Sequence, residues 1–449
     1  MSDVTIIGAG ISGLATALFL RNAGVDVRVL EARSTPGGNV RSIEEDDRII
    51  DVAANGWLNN EPAMDRLLQL VQLQDQTVPA GGHFSTRWVY CGGKVLPVPM
   101  GPGEMMQSKL IPWWAKFRLL GEPFVGRVSE GRDETVAEFV SRRLGPAFVD
   151  RLVGPMVAGI YAADPKDLSL QAAFPRMHKL ESEYRSLILA MLRLRSGGAP
   201  KGHLHTLPKG AGQLTDAIVA ALHDQIVCGV QVTAVEERRD GWHIHTRDGT
   251  ETTKAVVLAC PAHAATTLVR GVDAEVADAL AAIPYAPVAV AVSAYPQGAW
   301  DKSPDGFGIL LARGESLGGV LGTLFTSNIF PGHSREGEVL LRTIFGGSVL
   351  PEAAEMNDHQ IAAWVRRSNE RFFGHERAAP NMVRVFRHPK GIPQYRKGHV
   401  AKVRTIRAAE GRHPGLFFTG NHLLGIGVKD CARSGEETAT RVQALLGVD

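Results

Sequence analysis

The first thirty residues contain apolar segments of two kinds, one typical of strands and one typical of a helix. Val4–Ile7 is a short apolar run rich in β-branched residues, which predicts a buried strand. Residues 14–23 are rich in Ala and Leu and precede Gly24, which predicts a helix that ends there. A second apolar run, residues 25–30, predicts another strand that ends at Glu31. This order predicts a β-α-β unit whose two strands are parallel.

The apolar pattern changes again along the rest of the chain. Residues 101–200 carry apolar side chains at helical spacing, whereas residues 285–345 alternate as strands do. Residues 206–260 and 412–420 return to the mixed strand and helix character of the N-terminus. The pattern therefore predicts one discontinuous α/β domain that is interrupted by a strand-rich segment and by a helical one.

Composition and charge exclude several classes of protein. Lys plus Arg number 49 and Asp plus Glu number 47, so the net charge of +2 gives no reason to expect nucleic acid as a partner. The four cysteines include no C-x-x-C pair, which excludes a zinc ribbon and a thioredoxin-like motif and is typical of a reducing cytosol. Neither a signal peptide nor a transmembrane stretch is visible, so we expect a cytoplasmic protein.

A glycine motif lies between the first predicted strand and the first predicted helix. It has the pattern G-x-G-x-x-G, and an acidic residue closes the next strand. The glycines of such a motif permit a tight turn, close approach of a pyrophosphate and close packing of helix on strand. The helix N-terminus offers free N–H groups to phosphates. The predicted dinucleotide-binding residues of this unit are Gly8, Gly10, Ile11, Ser12, Gly13 and Glu31.

A second motif follows directly, since residues 32–42 have the sequence ARSTPGGNVRS. This segment resembles the second signature of FAD oxidases of the amine-oxidase type. The resemblance implies that Arg33 and Arg41 meet the adenosine and pyrophosphate side of FAD. An NAD enzyme has no need of this segment, so it favours FAD. The predicted FAD-binding residues of the segment are Ala32, Arg33, Gly37, Gly38, Asn39, Val40 and Arg41.

The C-terminal region carries a matching strand-to-helix pattern. Gly420 and Asn421 end an apolar run, and Gly427 and Val428 lie in the glycine-rich turn that opens the last helix. A helix N-terminus directed at the flavin pyrimidine ring would stabilise the negative charge that reduction places there. We therefore predict that these four residues form the other half of the FAD site.

Segments spread over nearly the whole chain resemble the protoporphyrinogen oxidase family. Examples are residues 154–164 (GPMVAGIYAAD), 322–331 (GTLFTSNIFP) and 385–399 (VFRHPKGIPQYRKGH). The resemblance implies a FAD enzyme that oxidises a porphyrinogen in three two-electron steps, with dioxygen as acceptor and hydrogen peroxide as product. It also implies that the flavin carries the chemistry, so we assign no catalytic side chain.

The same resemblance implies a fold and individual residue roles. The fold is α/β, with a Rossmann-type FAD-binding domain (1–56, 206–270 and 396–449), an antiparallel-sheet substrate domain (57–100 and 271–395) and a helical insertion (101–205). Asn55 matches an asparagine near the flavin, and Val232 matches the position whose backbone holds the adenine. The residues that match the tetrapyrrole pocket are Gly159, Leu310, Leu324 and Ile344.

Three departures from the family pattern leave the substrate open. Ala53 and Ala54 stand where the family usually has Gly-Pro, and His388 stands at a position that is often aromatic. Some members have an arginine for a propionate near Gln74, and this chain has none there. The alternatives to protoporphyrinogen are coproporphyrinogen, which carries four propionates, an amine, and a natural product of a specialised pathway. A scaffold protein that holds FAD without catalysis is a further alternative from a different class. More basic residues in the pocket would favour coproporphyrinogen.

Two further signals concern metals and membranes. His203 with His205, and His243 with His245, form H-x-H pairs, but no partner residue completes a set of ligands, so we predict no metal site. Residues 111–120 (IPWWAKFRLL) have the composition of an interfacial helix, and the resemblance implies membrane contact through this insertion. We expect peripheral contact with the cytoplasmic membrane. The oligomeric state stays open, with a homodimer among the alternatives.

Overall fold

The computed structural model describes residues 2–81, 86–126, 128, 131–194 and 202–448. The strands are β1 (Val4–Ile7), β2 (Val27–Glu31), β3 (Ser42–Glu45), β4 (Arg48–Asp51), β5 (Trp57–Leu58), β6 (Val78–Pro79), β7 (Arg87–Cys91), β8 (Lys94–Pro97), β9 (Leu204–Thr206), β10 (Ile226–Cys228), β11 (Val232–Arg238), β12 (Gly241–Thr246), β13 (Thr250–Thr253), β14 (Ala255–Leu258), β15 (Tyr285–Pro296), β16 (Gly308–Leu311), β17 (Val320–Phe325), β18 (Glu338–Gly346), β19 (Met382–Pro393) and β20 (Leu416–Phe418). The α-helices are α1 (Ile11–Asn22), α2 (Pro62–Leu70), α3 (Pro102–Gln107), α4 (Trp113–Arg118), α5 (Val136–Arg143), α6 (Pro146–Phe148), α7 (Gly154–Tyr161), α8 (Leu170–Ala173), α9 (Pro175–Tyr184), α10 (Leu187–Leu194), α11 (Gly212–Ala221), α12 (Ala262–Val269), α13 (Ala274–Ala281), α14 (Thr326–Ile329), α15 (Asp358–Phe373), α16 (His399–Arg412) and α17 (Val428–Leu446).

A five-stranded parallel sheet joins the two ends and the middle of the chain. Its strand order is β10-β2-β1-β14-β20. In register, Val4 pairs with Val27 on one side and with Ala255 on the other. Every residue of β1 and β14 is buried, as in strands that helices cover on both faces. The predicted β-α-β unit is present, with α1 beginning at Ile11 rather than at residue 14, because Gly10 in extended conformation is the N-cap.

A seven-stranded sheet with the order β19-β15-β18-β17-β16-β7-β8 forms the second layer. Neighbouring strands are antiparallel except for β16 and β7, which are parallel. Because successive side chains point to opposite faces, each strand contributes to two environments. One face carries Ala291 and Phe345, which form a core with Val365 and Phe372 of α15. The other face carries Val290 and is the one that faces the candidate site.

The described part of residues 101–205 folds as short helices around a buried ion cluster. Arg143 and Glu122 have no solvent exposure, and their side chains are 3.1 Å apart. Glu181 accepts a second hydrogen bond from Arg143, at 2.9 Å. In the chain as described, no helix combines the length and the apolar character needed to cross a bilayer. Large apolar side chains of this region and the chain just before it are nevertheless exposed, namely Met100, Met106, Trp113, Trp114, Phe117, Leu120 and Phe124.

Candidate active site

Three glycines shape the turn between β1 and α1, each for a different steric reason. Gly8 has a φ of +110°, a conformation that favours glycine. A Cβ on Gly13 would lie 2.1 Å from the carbonyl oxygen of Gly8, so α1 packs here only without a side chain. A Cβ on Gly10 would meet no atom within 4 Å. No side chain caps α1, so the N–H groups that begin at Ile11 are left for an anionic ligand beside Gly10.

Glu31 holds this turn from the end of β2. Its buried carboxylate accepts hydrogen bonds from the N–H groups of Ala9, at 2.7 Å, and Arg33, at 2.9 Å. Each carboxylate oxygen has a further lone pair, so contact with ribose hydroxyls, as predicted from the sequence, remains compatible with these bonds. The sequence analysis missed the structural role of Glu31, which ties the glycine turn at Ala9 to the segment that follows β2 at Arg33.

The segment that follows β2 crosses the glycine turn closely. A Cβ on Gly38 would lie 3.0 Å from the Cα of Gly10, so a side chain there would displace the turn. Arg33 reaches the carbonyl of Gly38 at 3.4 Å. Among the described residues, neither Arg33 nor Arg41 has a carboxylate partner. Two unneutralised guanidinium groups near free helix N–H groups fit the diphosphate of a dinucleotide.

The remaining predicted residues of this region lie around the same segment. Ala32 and Asn39 are exposed, whereas Val40 is buried. Val232 is buried at the start of β11. The chain just before Val232 is tied to the end of β2, because the N–H of Val230 donates to the carbonyl of Glu31 at 2.9 Å. The structure therefore brings Val232 close to the end of the β-α-β unit.

Helix α17, which follows the second glycine-rich turn, packs against α1. The hydroxyl of Thr16 donates to the carbonyl of Gly435 at 3.2 Å, and a Cβ on Gly435 would lie 2.8 Å from the Cβ of Ala15. Gly427 is the N-cap of α17, and its N–H donates to the carboxylate of Asp430 at 3.2 Å. Close packing of α17 on α1 thus fixes the two predicted halves of the FAD site relative to each other.

The loop before α17 is held by two aromatic side chains. Tyr395 donates its hydroxyl to the carbonyl of Asn421. The ring of His399 stacks on Tyr395 with centroids 4.1 Å apart, and its Nε2 donates to the carbonyl of Leu423 at 2.9 Å. Burial lowers the pKa of His399 to about 4, so the ring is neutral at physiological pH. Gly420, with a φ of +140°, starts this loop.

The predicted pocket residues meet on one face of the seven-stranded sheet. Leu310 of β16 pairs with Gly322 of β17, which pairs with Ile344 of β18. Leu324 is two residues beyond Gly322, so its side chain points to the same face. A Cβ on Gly159 would lie 2.8 Å from Cδ2 of Leu310. Helix α7 therefore packs over this face, and the structure brings the four predicted residues together.

The same face carries an arginine that the sequence analysis did not single out. Arg342 pairs with Leu324 across β17 and β18 and is only 5% exposed. Its guanidinium donates to the carbonyl of Asp51 at 3.2 Å and to the carbonyl of Ala53. These carbonyls lie four and two residues before Asn55, the residue predicted near the flavin. The sequence did contain a signal for this residue. Arg342 belongs to an alternating run that ends in Ile344 and Phe345, and it is two residues before Ile344, so both side chains point to the same face.

His388 of β19, which pairs with Val288 of β15, lies on the same sheet face. Its Nε2 lies 3.0 Å from the carbonyl of Val52, so that nitrogen carries the proton. Burial lowers the pKa of His388, and the nearby charges of Arg342, Arg33 and Arg41 lower it further. The imidazole is therefore neutral at physiological pH and is a weak base.

The second H-x-H pair has ordinary polar partners. His243 lies 3.0 Å from a carboxylate oxygen of Asp240, and His245 lies 3.4 Å from one of Glu236. Among the described residues, no group of three or more His, Cys, Asp or Glu side chains is arranged to hold a metal ion.

Comparison with known proteins identifies the family to which this site belongs. The sequence profile of the family described as flavin-containing amine oxidoreductase matches residues 11–443, from the start of α1 into the last turn of α17. The chain belongs to this family. FAD is therefore its cofactor, as predicted from the two glycine-rich motifs.

Curated relatives narrow the family further. The chain is 30% identical over 480 residues to the chloroplastic protoporphyrinogen oxidase of Oryza sativa subsp. japonica, an alignment that covers 99% of this chain and 89% of the relative. It is 26% identical over 464 residues to the coproporphyrinogen III oxidase of Bacillus subtilis (strain 168), with 97% of each chain covered. These similarities confirm that the chain is a member of the protoporphyrinogen oxidase family.

Solved structures confirm the predicted fold class. A provisional protoporphyrinogen oxidase from Exiguobacterium sp. 255-15 has a TM-score of 0.86 at 21% identity and covers 98% of both chains. The cyclohexylamine oxidase of Brevibacterium oxydans IH-35A has a TM-score of 0.75 at 19% identity and covers 99% of both chains. The fold is thus α/β, with a Rossmann-type FAD-binding part, a mainly antiparallel sheet and a helical insertion. The domain boundaries stay predictions.

Proposed function

We propose that this protein oxidises protoporphyrinogen IX to protoporphyrin IX in heme biosynthesis, with FAD as cofactor and dioxygen as acceptor. Each of three two-electron steps reduces one dioxygen to one hydrogen peroxide. The observation that carries the proposal is the apolar face of Leu310, Leu324 and Ile344, which lies under α7 and continues to Arg342 beside the loop of Asn55. Similarity along the whole chain to enzymes named protoporphyrinogen oxidase supports it.

The pocket would bind the macrocycle chiefly by burial of apolar surface. Each Å² of apolar surface removed from water contributes about 25 cal/mol, so a large flat ring system gains much of its affinity this way. Gly159 leaves room between α7 and Leu310 because it has no side chain. Bound FAD supplies the hydride acceptor. Formation of the aromatic porphyrin drives the oxidation, so no strong base is needed on this face and none is assigned.

Charge on the pocket face favours a substrate with few carboxylates. Arg87 pairs with Gly308 of β16 and is exposed, with its guanidinium 5.2 Å from the centroid of the Phe307 ring. Among the described residues it has no carboxylate partner, whereas Arg384 on the same face is paired with Glu45. We infer that Arg87 binds a propionate. Arg342 on this face is buried and turned to main-chain carbonyls. The small amount of exposed, unpaired positive charge favours protoporphyrinogen, with two propionates, over coproporphyrinogen, with four.

Anaerobic mixing with each porphyrinogen tests the function and its alternatives. Without oxygen, we expect protoporphyrinogen to bleach the flavin absorbance, since one FAD accepts two of the six electrons. After air is admitted, porphyrin fluorescence should appear, with one hydrogen peroxide per two electrons. Faster bleaching by coproporphyrinogen would favour that substrate, in line with relatives such as the coproporphyrinogen III oxidase of Staphylococcus aureus (strain NCTC 8325 / PS 47), which is 28% identical. Cyclohexylamine serves as the amine control. No bleaching by either porphyrinogen would refute the proposal.

We also propose that the protein binds the cytoplasmic membrane peripherally, through the helical insertion. Trp113 and Phe117 of α4 are 71% and 65% exposed, and Leu120 in the following turn is 74% exposed. Lys116 and Arg118 lie on the same short segment. Aromatic and aliphatic side chains next to cationic ones are typical of segments that insert among lipid headgroups.

A further inference from the structure

We propose that Arg342 acts on the bound cofactor through its charge, so that its buried guanidinium stabilises the reduced flavin and raises the reduction potential of the enzyme. This inference rests on the proposed position of the FAD site. It assigns a role to a residue that contacts neither of the two glycine-rich signatures.

The contacts of Arg342 leave its charge without direct neutralisation. The guanidinium donates to the main-chain carbonyls of Asp51 and Ala53, and its Nε has no hydrogen-bond partner among the described residues. Burial of a charge without an ion pair is costly, since the group loses its hydration. Arg342 is 5% exposed, so this cost applies almost fully.

The carboxylate of Asp51 is engaged elsewhere. One oxygen accepts the hydroxyl of Ser42 at 2.6 Å and the N–H of Ala211 at 3.0 Å. The other oxygen lies 3.9 Å from Nδ1 of His333. Asp51 therefore acts on Arg342 only through space. Burial lowers the pKa of Arg342 to about 10, which leaves it fully protonated at neutral pH.

The position of Arg342 suits charge stabilisation during hydride transfer. It lies between Leu324 and Ile344 on the pocket face and the loop that leads to Asn55. A hydride carries two electrons and one proton, so its transfer leaves one net negative charge on the acceptor. A fixed positive charge in a site of low dielectric stabilises such a charge without reorganisation of the protein. The unfavourable burial of Arg342 would thus be offset when the cofactor is reduced.

Arg384 offers a matched control on the same sheet face. Val292 pairs with Arg342 on one side and with Arg384 on the other, so the two arginines flank one residue of β15. Arg384 differs in having an exposed side chain that is paired with Glu45. If burial without a counterion is what matters, removal of the Arg384 charge will leave the cofactor unaffected.

The test is an anaerobic titration of the purified holoenzyme with a redox dye, followed by flavin absorbance. In Arg342→Met, we expect the preference of the protein for oxidised over reduced FAD to be about 10-fold greater than in wild type. This change lowers the two-electron reduction potential by about 30 mV. Arg342→Lys keeps the charge and should retain most of the wild-type potential. Arg384→Met should be indistinguishable from wild type.

Each outcome of the titration decides the inference. Loss of FAD from Arg342→Met but not from Arg342→Lys also supports a role of the charge. Unchanged potentials in both Arg342 variants, equal shifts in Arg342→Met and Arg384→Met, or loss of FAD from both Arg342 variants would overturn it. No porphyrinogen is used, so a protein that fails to oxidise porphyrinogens but shows the shift would refute the proposed substrate and leave this inference standing.

Discussion

Gly10 and Gly13 are three residues apart, yet a side chain at each position would meet different surroundings. A Cβ on Gly13 would overlap the carbonyl oxygen of Gly8, whereas a Cβ on Gly10 would meet no protein atom. Gly13 is therefore required by the packing of α1 on β1. Gly10 is required only if a ligand approaches its backbone, which makes it a specific probe of the cofactor site.

At this scale we predict that Gly10→Val yields a folded protein that does not retain FAD. The valine side chain would occupy the space in which the diphosphate contacts the helix N-terminus. The measurement is flavin absorbance after gel filtration, with circular dichroism to report folding.

Gly13→Ala is the contrasting control. It should lower the free energy of unfolding by about 1–3 kcal/mol because the backbone must shift to accept the methyl group. Retention of wild-type FAD content in Gly10→Val would show that the pyrophosphate lies elsewhere.

Among the helices and turns, α4 and the 3-10 turn Leu119–Phe124 stand out because their apolar side chains face outward. They are held on the insertion by buried polar contacts, since Glu122 accepts hydrogen bonds from Leu187 N–H at 2.9 Å and from Arg143 at 3.1 Å. A segment that is anchored by a buried ion pair, and exposes aromatic rings, presents a stable apolar surface.

We predict that this surface drives membrane binding. In flotation with vesicles that contain anionic lipid, wild type should rise with the lipid, whereas the variant Trp113→Ser/Phe117→Ser/Leu120→Ser should stay at the bottom, because it loses the side chains that insert among the lipids. Val349→Ser, at a residue that is 62% exposed elsewhere, is the control and should float like wild type. A wild-type protein that remains in solution at low salt would refute membrane binding.

The buried ion cluster of the insertion also predicts that the stability of the fold decreases at acidic pH. Burial raises the pKa of Glu181, but hydrogen bonds from Arg142 and Arg143 outweigh this and leave it lowered. A lowered pKa stabilises the fold above the unfolded value of about 4.3, and this contribution is lost as pH falls through the folded pKa. Between pH 6 and pH 3.5, wild-type Tm should therefore fall further than the Tm of Glu181→Gln. Parallel curves would show that Glu181 contributes nothing to acid sensitivity.

At the scale of the whole molecule, an ion pair ties the segment that follows the FAD signature to the seven-stranded sheet. Arg48 of β4 donates two hydrogen bonds of 2.8 Å to Glu338 of β18, and the side chains are 4% and 11% exposed. The hydrogen bond from Arg48 holds the pKa of Glu338 below its usual value. The pair thus fixes β4, and with it the loop of residues 51–55, against the sheet that carries the pocket.

We predict that Arg48→Met lowers the free energy of unfolding by up to about 3 kcal/mol, because Glu338, which is 11% exposed, loses its ion pair and keeps the hydrogen bond from Asn381. The double variant Arg48→Met/Glu338→Met should lose markedly less, since it buries no charge. Urea denaturation of the two variants and of Glu338→Met measures the difference. Equal losses in the single and double variants would show that the pair is not coupled.

The sequence could predict the FAD half of the site because its signals are local. Gly8, Gly13 and Glu31 act within one strand-turn-helix-strand unit, so residue type and spacing define the geometry. The apolar pattern also predicted one discontinuous α/β domain with two insertions, whereas the pocket residues came from resemblance to a family and not from spacing. Arg342 and Arg87 escaped notice because their roles depend on strand register: Leu324 aligns with Arg342, and Gly308 with Arg87.

The sequence by itself thus determined that the chain binds FAD, because the phosphate-binding turn is a short-range structure. Tertiary structure decided which side chains share a face and which charges stay unpaired. Gly159 meets Leu310 across 151 residues of chain, and Arg342 meets Asp51 across 291, so no local pattern could place them together. Pairing of distant strands and the packing of α7 over the sheet create that environment, and there the proposed oxidation would take place.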